Sequence, residues 1–135
     1  ELVGKLAGLG NIYYVCTPTP LQYALSRVLL ADLDYYEKLR IDFGRKREIL
    51  KSALERTGFD VYDSRSTFYI WTRIPERFND ATELNEFLIR EAGVAGVPGS
   101  AFMDEPERDV YMRLCFARED AMLEAASERI ERALR

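Results

Sequence analysis

The sequence predicts an α+β domain, a small and mainly antiparallel sheet packed against helices. Apolar residues recur at helical spacing in several separated segments. Phe59–Tyr62 and Thr67–Trp71 are rich in aromatic and β-branched residues and flank the polar turn Asp63–Ser66, the pattern of a hairpin. Between Val110 and Phe116 every second residue is apolar, as in a strand with one face on a core. Helices, a hairpin, a further helix, further strands and a last helix make a layered α+β domain. At 135 residues the chain can bury roughly two-thirds of its unfolded surface, enough for one or two small cores without disulfide staples.

Leu2, Val3, Leu6 and Leu9 open a first helix that is expected to stop at Gly10-Asn11. Ile12–Thr17 reads as extended and is closed by Pro18 and Pro20. Thr19 as N-cap with Pro20 at the first helical position starts a second helix. From Leu21 to about Asp32 that helix is apolar on nearly every side, which calls for cover by several neighbours or by a second subunit. Asp34 caps a long helix to Thr57, with Tyr36, Leu39, Phe43, Leu50 and Leu54 along one stripe. Lys38, Arg40, Arg45, Arg47, Lys51 and Arg56 face water, and Gly58 supplies a left-handed stop. After the hairpin, which Pro75 ends, Asp80 and Glu83 form a capping-box pattern. The helix they open turns Leu84, Phe87, Leu88 and Ala92 inward and ends at Gly93. Val94–Val97 reads as a short apolar strand and Pro98–Ser100 as a turn; a polar loop then leads into the strand Val110–Ala117. The last helix, from Glu119, carries Met122, Leu123, Ala126, Ile130 and Ala133 on its inner side.

Composition narrows the function. With 19 Lys plus Arg against 23 Asp plus Glu the net charge is -4, which argues against a nucleic-acid module. The absence of His removes Ser-His-Asp and Cys-His chemistry and every His-containing metal site. Cys16 and Cys115 lie far apart and outside any Cys-x-x-Cys spacing, and read as two buried thiols in a reducing, cytoplasmic compartment. No apolar run approaches the roughly 20 residues that span a bilayer, and no signal peptide is visible. Glu1 opens directly into helix-like sequence, as in a piece of a longer protein. Arg45-Lys46-Arg47, with Glu48 and Glu55 nearby, reads as a solvated helix face. The glycines of Gly93–Ser100 match no phosphate-loop spacing, and a helix stop, a strand and a turn explain them. Tyr13, Tyr14, Phe68, Tyr69 and Trp71 read as core or interface.

The residue most suggestive of chemistry is Arg113. Val110, Met112, Leu114 and Phe116 form the apolar face of its strand, while Arg113 lies on the other face between Tyr111 and Cys115. Burying a guanidinium without a partner costs several kcal/mol. Its counterpart is either an Asp or Glu of the chain or a ligand carboxylate, which the planar fork of Arg grips with two parallel hydrogen bonds.

Read together, five segments in register point to a family: Thr17-Pro18-Thr19-Pro20-Leu21-Gln22-Tyr23-Ala24-Leu25, Arg45-Lys46-Arg47-Glu48-Ile49-Leu50, Ser66-Thr67-Phe68-Tyr69-Ile70, Gly93 to Phe102, and Met112-Arg113-Leu114-Cys115-Phe116-Ala117. Across almost its whole length the chain resembles the C-terminal third of class I/II, fold type I pyridoxal-phosphate-dependent aminotransferases, particularly the kynurenine and methionine aminotransferase-like branch. The resemblance implies a homodimer whose large domain holds pyridoxal 5'-phosphate through a lysine, and a C-terminal small domain that closes over an amino-acid or 2-oxo-acid substrate. It divides the chain into an interdomain or dimer-side segment with the apolar helix, 1–33, and the C-terminal small domain, 34–135.

The resemblance also gives Arg113 the substrate α-carboxylate, and Thr67 and Phe68 a place on the substrate side. Ser66 stands where relatives usually have Gly. Tyr14, Val15 and Cys16 align with a stretch that reaches the partner's active site. The cofactor lysine, the partner of the pyridine nitrogen and the phosphate loop belong to the upstream domain, so the resemblance implies no catalytic or cofactor-binding residue here; composition, charge and the short apolar runs give the expectation of no metal, no nucleic acid and no membrane. The piece alone is expected to be inactive. A related lyase or synthase of the same fold, or a non-catalytic dimerisation or binding module, are the other readings.

Overall fold

In the computed structural model, which describes residues 2–14, 16–31, 33–103 and 109–135, helix α1 (Leu2–Tyr13) runs through the glycines expected to stop it. The Tyr14 N–H still bonds the Gly10 carbonyl at 2.9 Å, so the helical ladder is intact. A glycine costs a helix only about 1 kcal/mol relative to Ala, which lowers its stability without breaking it. The expected extended stretch from Ile12 is therefore helical to Tyr13. Helix α2 (Thr19–Ala31) takes Thr19 as its first residue rather than as the cap, since the Pro18 carbonyl accepts the Leu21 and Gln22 N–H groups, and Gln22 Nε2 donates to the Thr17 carbonyl at 2.7 Å. Asp32 and Val15 lie outside the described residues.

Helix α3 (Leu33–Arg56) takes Asp34 into its first turn rather than using it as the cap. The chain separates into two compact units, Glu1–Leu39 and Arg40–Arg135, and the boundary falls within α3. In the first unit Leu21, Tyr23, Leu25, Val28, Leu29 and Leu30 of α2 are all exposed, so among the described residues the expected cover by neighbouring segments is not found. Tyr36, placed on the inner stripe of α3, is also exposed.

The second unit holds the core. Strands β1 (Asp60–Val61), β2 (Tyr69–Arg73), β3 (Val97–Pro98) and β4 (Tyr111–Cys115) form one sheet in the order β1-β2-β4-β3, every neighbouring pair antiparallel. Ile70, Thr72, Met112 and Leu114 point to one face and are buried against Leu50 and Leu54 of α3, Leu84 and Leu88 of helix α4 (Ala81–Ala92), and Leu123 and Ile130 of helix α5 (Asp120–Leu134). Each such large apolar side chain contributes roughly 1.5–3 kcal/mol by leaving water. Thr72 keeps its buried hydroxyl satisfied by donating to the Asp60 carbonyl at 2.8 Å.

Local signals govern α4. Asp80 accepts from the Glu83 N–H at 2.9 Å, and Gly93, at φ 60°, closes the helix with its own N–H on Ile89. Strand bounds differ from those expected: β1 and β4 are shorter than the 59–62 and 110–117 runs, while β2 and β3 are shifted toward the C-terminus. The second hairpin strand begins at Tyr69 rather than Thr67, because Thr67 has φ 69° and its hydroxyl accepts the Tyr69 N–H at 3.2 Å. That local bond competes with the sheet ladder and delays it. Only Val97 of the expected 94–97 run pairs with β4, joined by Pro98 of the expected turn; Pro98 sits on the edge strand, where proline is tolerated. On α5 the inner row is Leu123, Ser127, Ile130 and Leu134, and Met122 is exposed.

Candidate functional site

The sheet's second face is unlike its first. Antiparallel register sets Tyr69 opposite Cys115, Trp71 opposite Arg113 and Arg73 opposite Tyr111, and alternation brings all six side chains to the face away from the core. Trp71 stacks on Tyr111 with centroids 5.8 Å apart and planes at 20°. Tyr62, beyond β1, lies 6.2 Å from Tyr111, and desolvation followed by its hydrogen bond with Tyr111 holds its phenol above the ordinary value of 10.

Arg113 sits half-buried in the middle of this face. Its Cζ lies 4.1 Å from the centroid of the Tyr69 ring and 4.5 Å from that of Phe102, and its Nε is buried with no hydrogen-bond acceptor. Tyr69 comes from β2 on one side of β4, and Phe102 from the 3-10 turn Gly99–Phe102 that follows β3 on the other. Among the described residues no carboxylate pairs with Arg113, so the ion pair that the sequence leaves open as its counterpart is not found there. An unmatched buried donor costs about 1–3 kcal/mol. The arrangement is that of a cation held in place with its hydrogen-bonding capacity unspent.

Thr67 and Phe68 lie in the loop before β2, at the Cys115 end of the same sheet. The Phe68 carbonyl accepts the Phe116 N–H at 3.0 Å, and the Phe68 ring is 4.4 Å from that of Tyr69. The fold thus brings Arg113 and the Thr67–Phe68 loop to one sheet. Tyr14 and Cys16 belong to the first unit and are exposed there; Val15 lies outside the described residues. Both cysteines are free, but Cys16 is exposed and Cys115 only partly buried, which corrects the expectation of two buried thiols. Arg45, Lys46 and Arg47 are engaged rather than merely solvated: Arg45 bonds Asp42 and Asp120, Lys46 pairs with Asp42 at 2.9 Å, and Arg47 donates to the Ser64 carbonyl.

Sequence reasoning missed Tyr69 and Phe102 as neighbours of the guanidinium. The signal for Tyr69 is the shared alternation of 69, 71, 73 with 111, 113, 115, which becomes readable once the register is known. Phe102 carries no such signal, because its position depends on a turn held by distant residues.

A family model described as aminotransferase class I and II matches residues 1–130. An aspartate aminotransferase of Pyrococcus abyssi is 33% identical over 136 residues, covering 99% of this chain and 34% of that protein. A methionine aminotransferase of Escherichia coli is 33% identical over 113 residues, 83% of this chain and 29% of that protein. The crystal structure of an aromatic aminotransferase from Pyrococcus horikoshii superimposes with a TM-score of 0.83 at 29% identity, covering 98% of this chain and 35% of that one. The chain thus spans about a third of the length of the curated relatives it matches. With a match over nearly its entire length and the same α+β fold as these relatives, the chain belongs to the class I and II aminotransferase family.

Proposed function

We propose that the chain is the C-terminal part of an enzyme that moves an amino group between an amino acid and a 2-oxo acid, with Arg113 receiving the substrate α-carboxylate. The observation that carries this reading is a guanidinium built into a sheet, flanked by rings, its Nε buried and unmatched. A small acid supplies what is missing, a negative charge and two acceptors in one plane that fit the fork of Arg. Relatives named for aspartate, methionine and aromatic substrates differ in the substrate side chain and share the carboxylate end, and it is that shared end to which the reading commits.

Pyridoxal 5'-phosphate, the cofactor the family implies, supplies an electron sink when bound. The residues of this chain do not fit as its covalent anchor. Lys5, Lys38, Lys46 and Lys51 lie in α1 and α3, Lys46 is paired with Asp42 and Lys51 with Glu55, and none belongs to the sheet that carries Arg113. The anchoring groups are assigned to an upstream large domain of the whole protein. What this chain contributes is orientation: a carboxylate fixed on Arg113 sets the direction of the substrate Cα–H bond, and its binding energy draws the small domain shut. Thr67 and Phe68 line the same side.

The whole enzyme is read as a cytoplasmic homodimer, with segment 1–33 on the dimer side, small domain 34–135, and Tyr14, Val15 and Cys16 reaching the partner's site. Exposed apolar rows on α1 and α2 and two free cysteines support that reading. In the whole enzyme, Arg113→Ala should raise KM for both the amino acid and the 2-oxo acid by about 100-fold, the cost of leaving a buried charge without its partner. An unchanged KM removes Arg113 from the site. The chain by itself should neither transaminate nor keep a cofactor absorbance band through dialysis, and a retained band contradicts the assignment of the cofactor lysine upstream.

A further inference from the structure

We infer that Tyr69 and Phe102 are positioning residues for Arg113, two rings that hold its guanidinium in place for a carboxylate; the inference rests on the carboxylate-binding reading of Arg113. A guanidinium at a half-buried sheet position can be held in two ways. A neighbouring Asp or Glu fixes it but uses up the charge and the N–H donors that a substrate needs. An aromatic face attracts the cation through its quadrupole and leaves the N–H donors to other acceptors. Arg113 is held in the second way, with ring centroids at 4.1 and 4.5 Å from Cζ and no acceptor on Nε.

Both rings are themselves fixed. Tyr69 is a member of β2, braced by the Phe68 ring. Phe102 packs edge-on against Trp71 at 5.9 Å, and Trp71 stacks on Tyr111. The turn that carries Phe102 is tied down by Asp109, which accepts the Ser100 N–H at 2.9 Å and the Tyr111 N–H at 3.4 Å; its own carbonyl accepts the Ala81 N–H at 2.7 Å. Gly99 lets the turn approach this closely, since a Cβ there would stand 2.7 Å from Asp109 Oδ1 and 3.1 Å from the Tyr111 carbonyl. Phe102 nevertheless remains 50% exposed, so burial in the core does not account for it. It meets the guanidinium and the Trp71 ring.

The carboxylate does not react, so its contact with Arg113 is the same in the ground and transition states. Loosening the guanidinium weakens the hold on the carboxylate before any chemistry, so the loss appears first in KM and Kd; a smaller fall in kcat accompanies it, because the same contact orients the Cα–H bond. Steady-state kinetics of the whole enzyme test this. Phe102→Leu keeps an apolar side chain of similar bulk but removes the π face; it should raise KM for the amino acid and the 2-oxo acid roughly tenfold, with any fall in kcat smaller than the rise in KM. Phe102→Tyr should restore the original KM, and Tyr69→Leu and Tyr69→Phe should behave as the corresponding pair. Calorimetric titration with 3-phenylpropanoate, a carboxylate with no amino group to transfer, should show the same weakening. If Phe102 only fills space, Phe102→Leu keeps the original KM and the original Kd, and the inference is overturned; a loss confined to kcat overturns it as well. Arg113→Ala run in parallel separates the two ideas. If it raises KM while Phe102→Leu does not, the carboxylate reading stands and the ring clamp falls; if neither raises KM, the carboxylate reading itself has failed.

Discussion

Thr67 illustrates how one residue can depart from every local preference. A β-branched side chain at φ 69° is crowded against its own backbone, and left-handed geometry costs an L-residue roughly 1–2 kcal/mol. The resemblance places the family's Gly at Ser66, yet the left-handed residue is the next one. The hydroxyl of Thr67 recovers part of the cost by accepting the Tyr69 N–H. Asn tolerates this region better and its side chain can accept the same i+2 N–H. Thr67→Asn is therefore expected to stabilise the fold by about 0.5–1 kcal/mol, read as a higher urea midpoint at unchanged slope. A lower midpoint would mean that the threonine methyl makes packing contacts worth more than the backbone strain. Arg113, in contrast, was legible as an anomaly from sequence, because a lone cation in a strand with one wholly apolar face needs an explanation. What surrounds it was not legible, since Tyr69 reaches it through a register that the alternation alone does not fix, and Phe102 through a turn held by distant residues.

Among the elements, α4 is written most plainly in the chain: its cap, its inner row and its glycine stop are local signals, and the structure reproduces them. Helix α1 is the opposite case, since Gly10-Asn11 lowers helix propensity but the uninterrupted ladder overrides it. Between α3 and the start of α5, a cluster of charges makes stability depend on pH. The Asp42 carboxyl is held below its ordinary value of 3.8 by hydrogen bonds from Lys46 and then Arg45. A depressed folded-state value stabilises the fold above the unfolded value, and that contribution disappears as pH falls through the folded one. Stability should accordingly decline as pH is lowered from about 5 to 3, and Asp42→Asn should flatten part of that slope. The Lys46 ammonium is shifted upward by the same bond to Asp42, so its contribution persists below 10.5 and fades only as pH rises beyond it. Unfolding curves across the acid range check this; an identical slope in Asp42→Asn would show that other carboxylates carry the acid sensitivity.

At the scale of the molecule, the two units differ in what they bury. Unit Arg40–Arg135 encloses the core, whereas α1 and α2 bear large apolar side chains in water, Leu30 at 85% exposure and Ile12 at 76%. Rows of this size on a folded protein mark a surface that another body covers. On the dimer reading, the double substitution Leu25→Glu and Leu29→Glu on α2 should halve the mass of the whole enzyme in solution, as measured by light scattering. An unchanged mass would assign the cover of this helix to the upstream part of the same chain.

The sequence alone determined the α+β class, the hairpin, the capped helix α4, the apolar face of β4 and the family, because each rests on periodicity, capping chemistry or short motifs that act over a few residues. The environment of Arg113 was decided only by tertiary structure. Antiparallel register between β2 and β4 chose which aromatic rings share its face, and Asp109, by holding the turn after β3, chose where Phe102 ends. Those choices are long-range because hydrogen-bond register and turn anchoring join segments tens of residues apart, and no local preference encodes such a meeting.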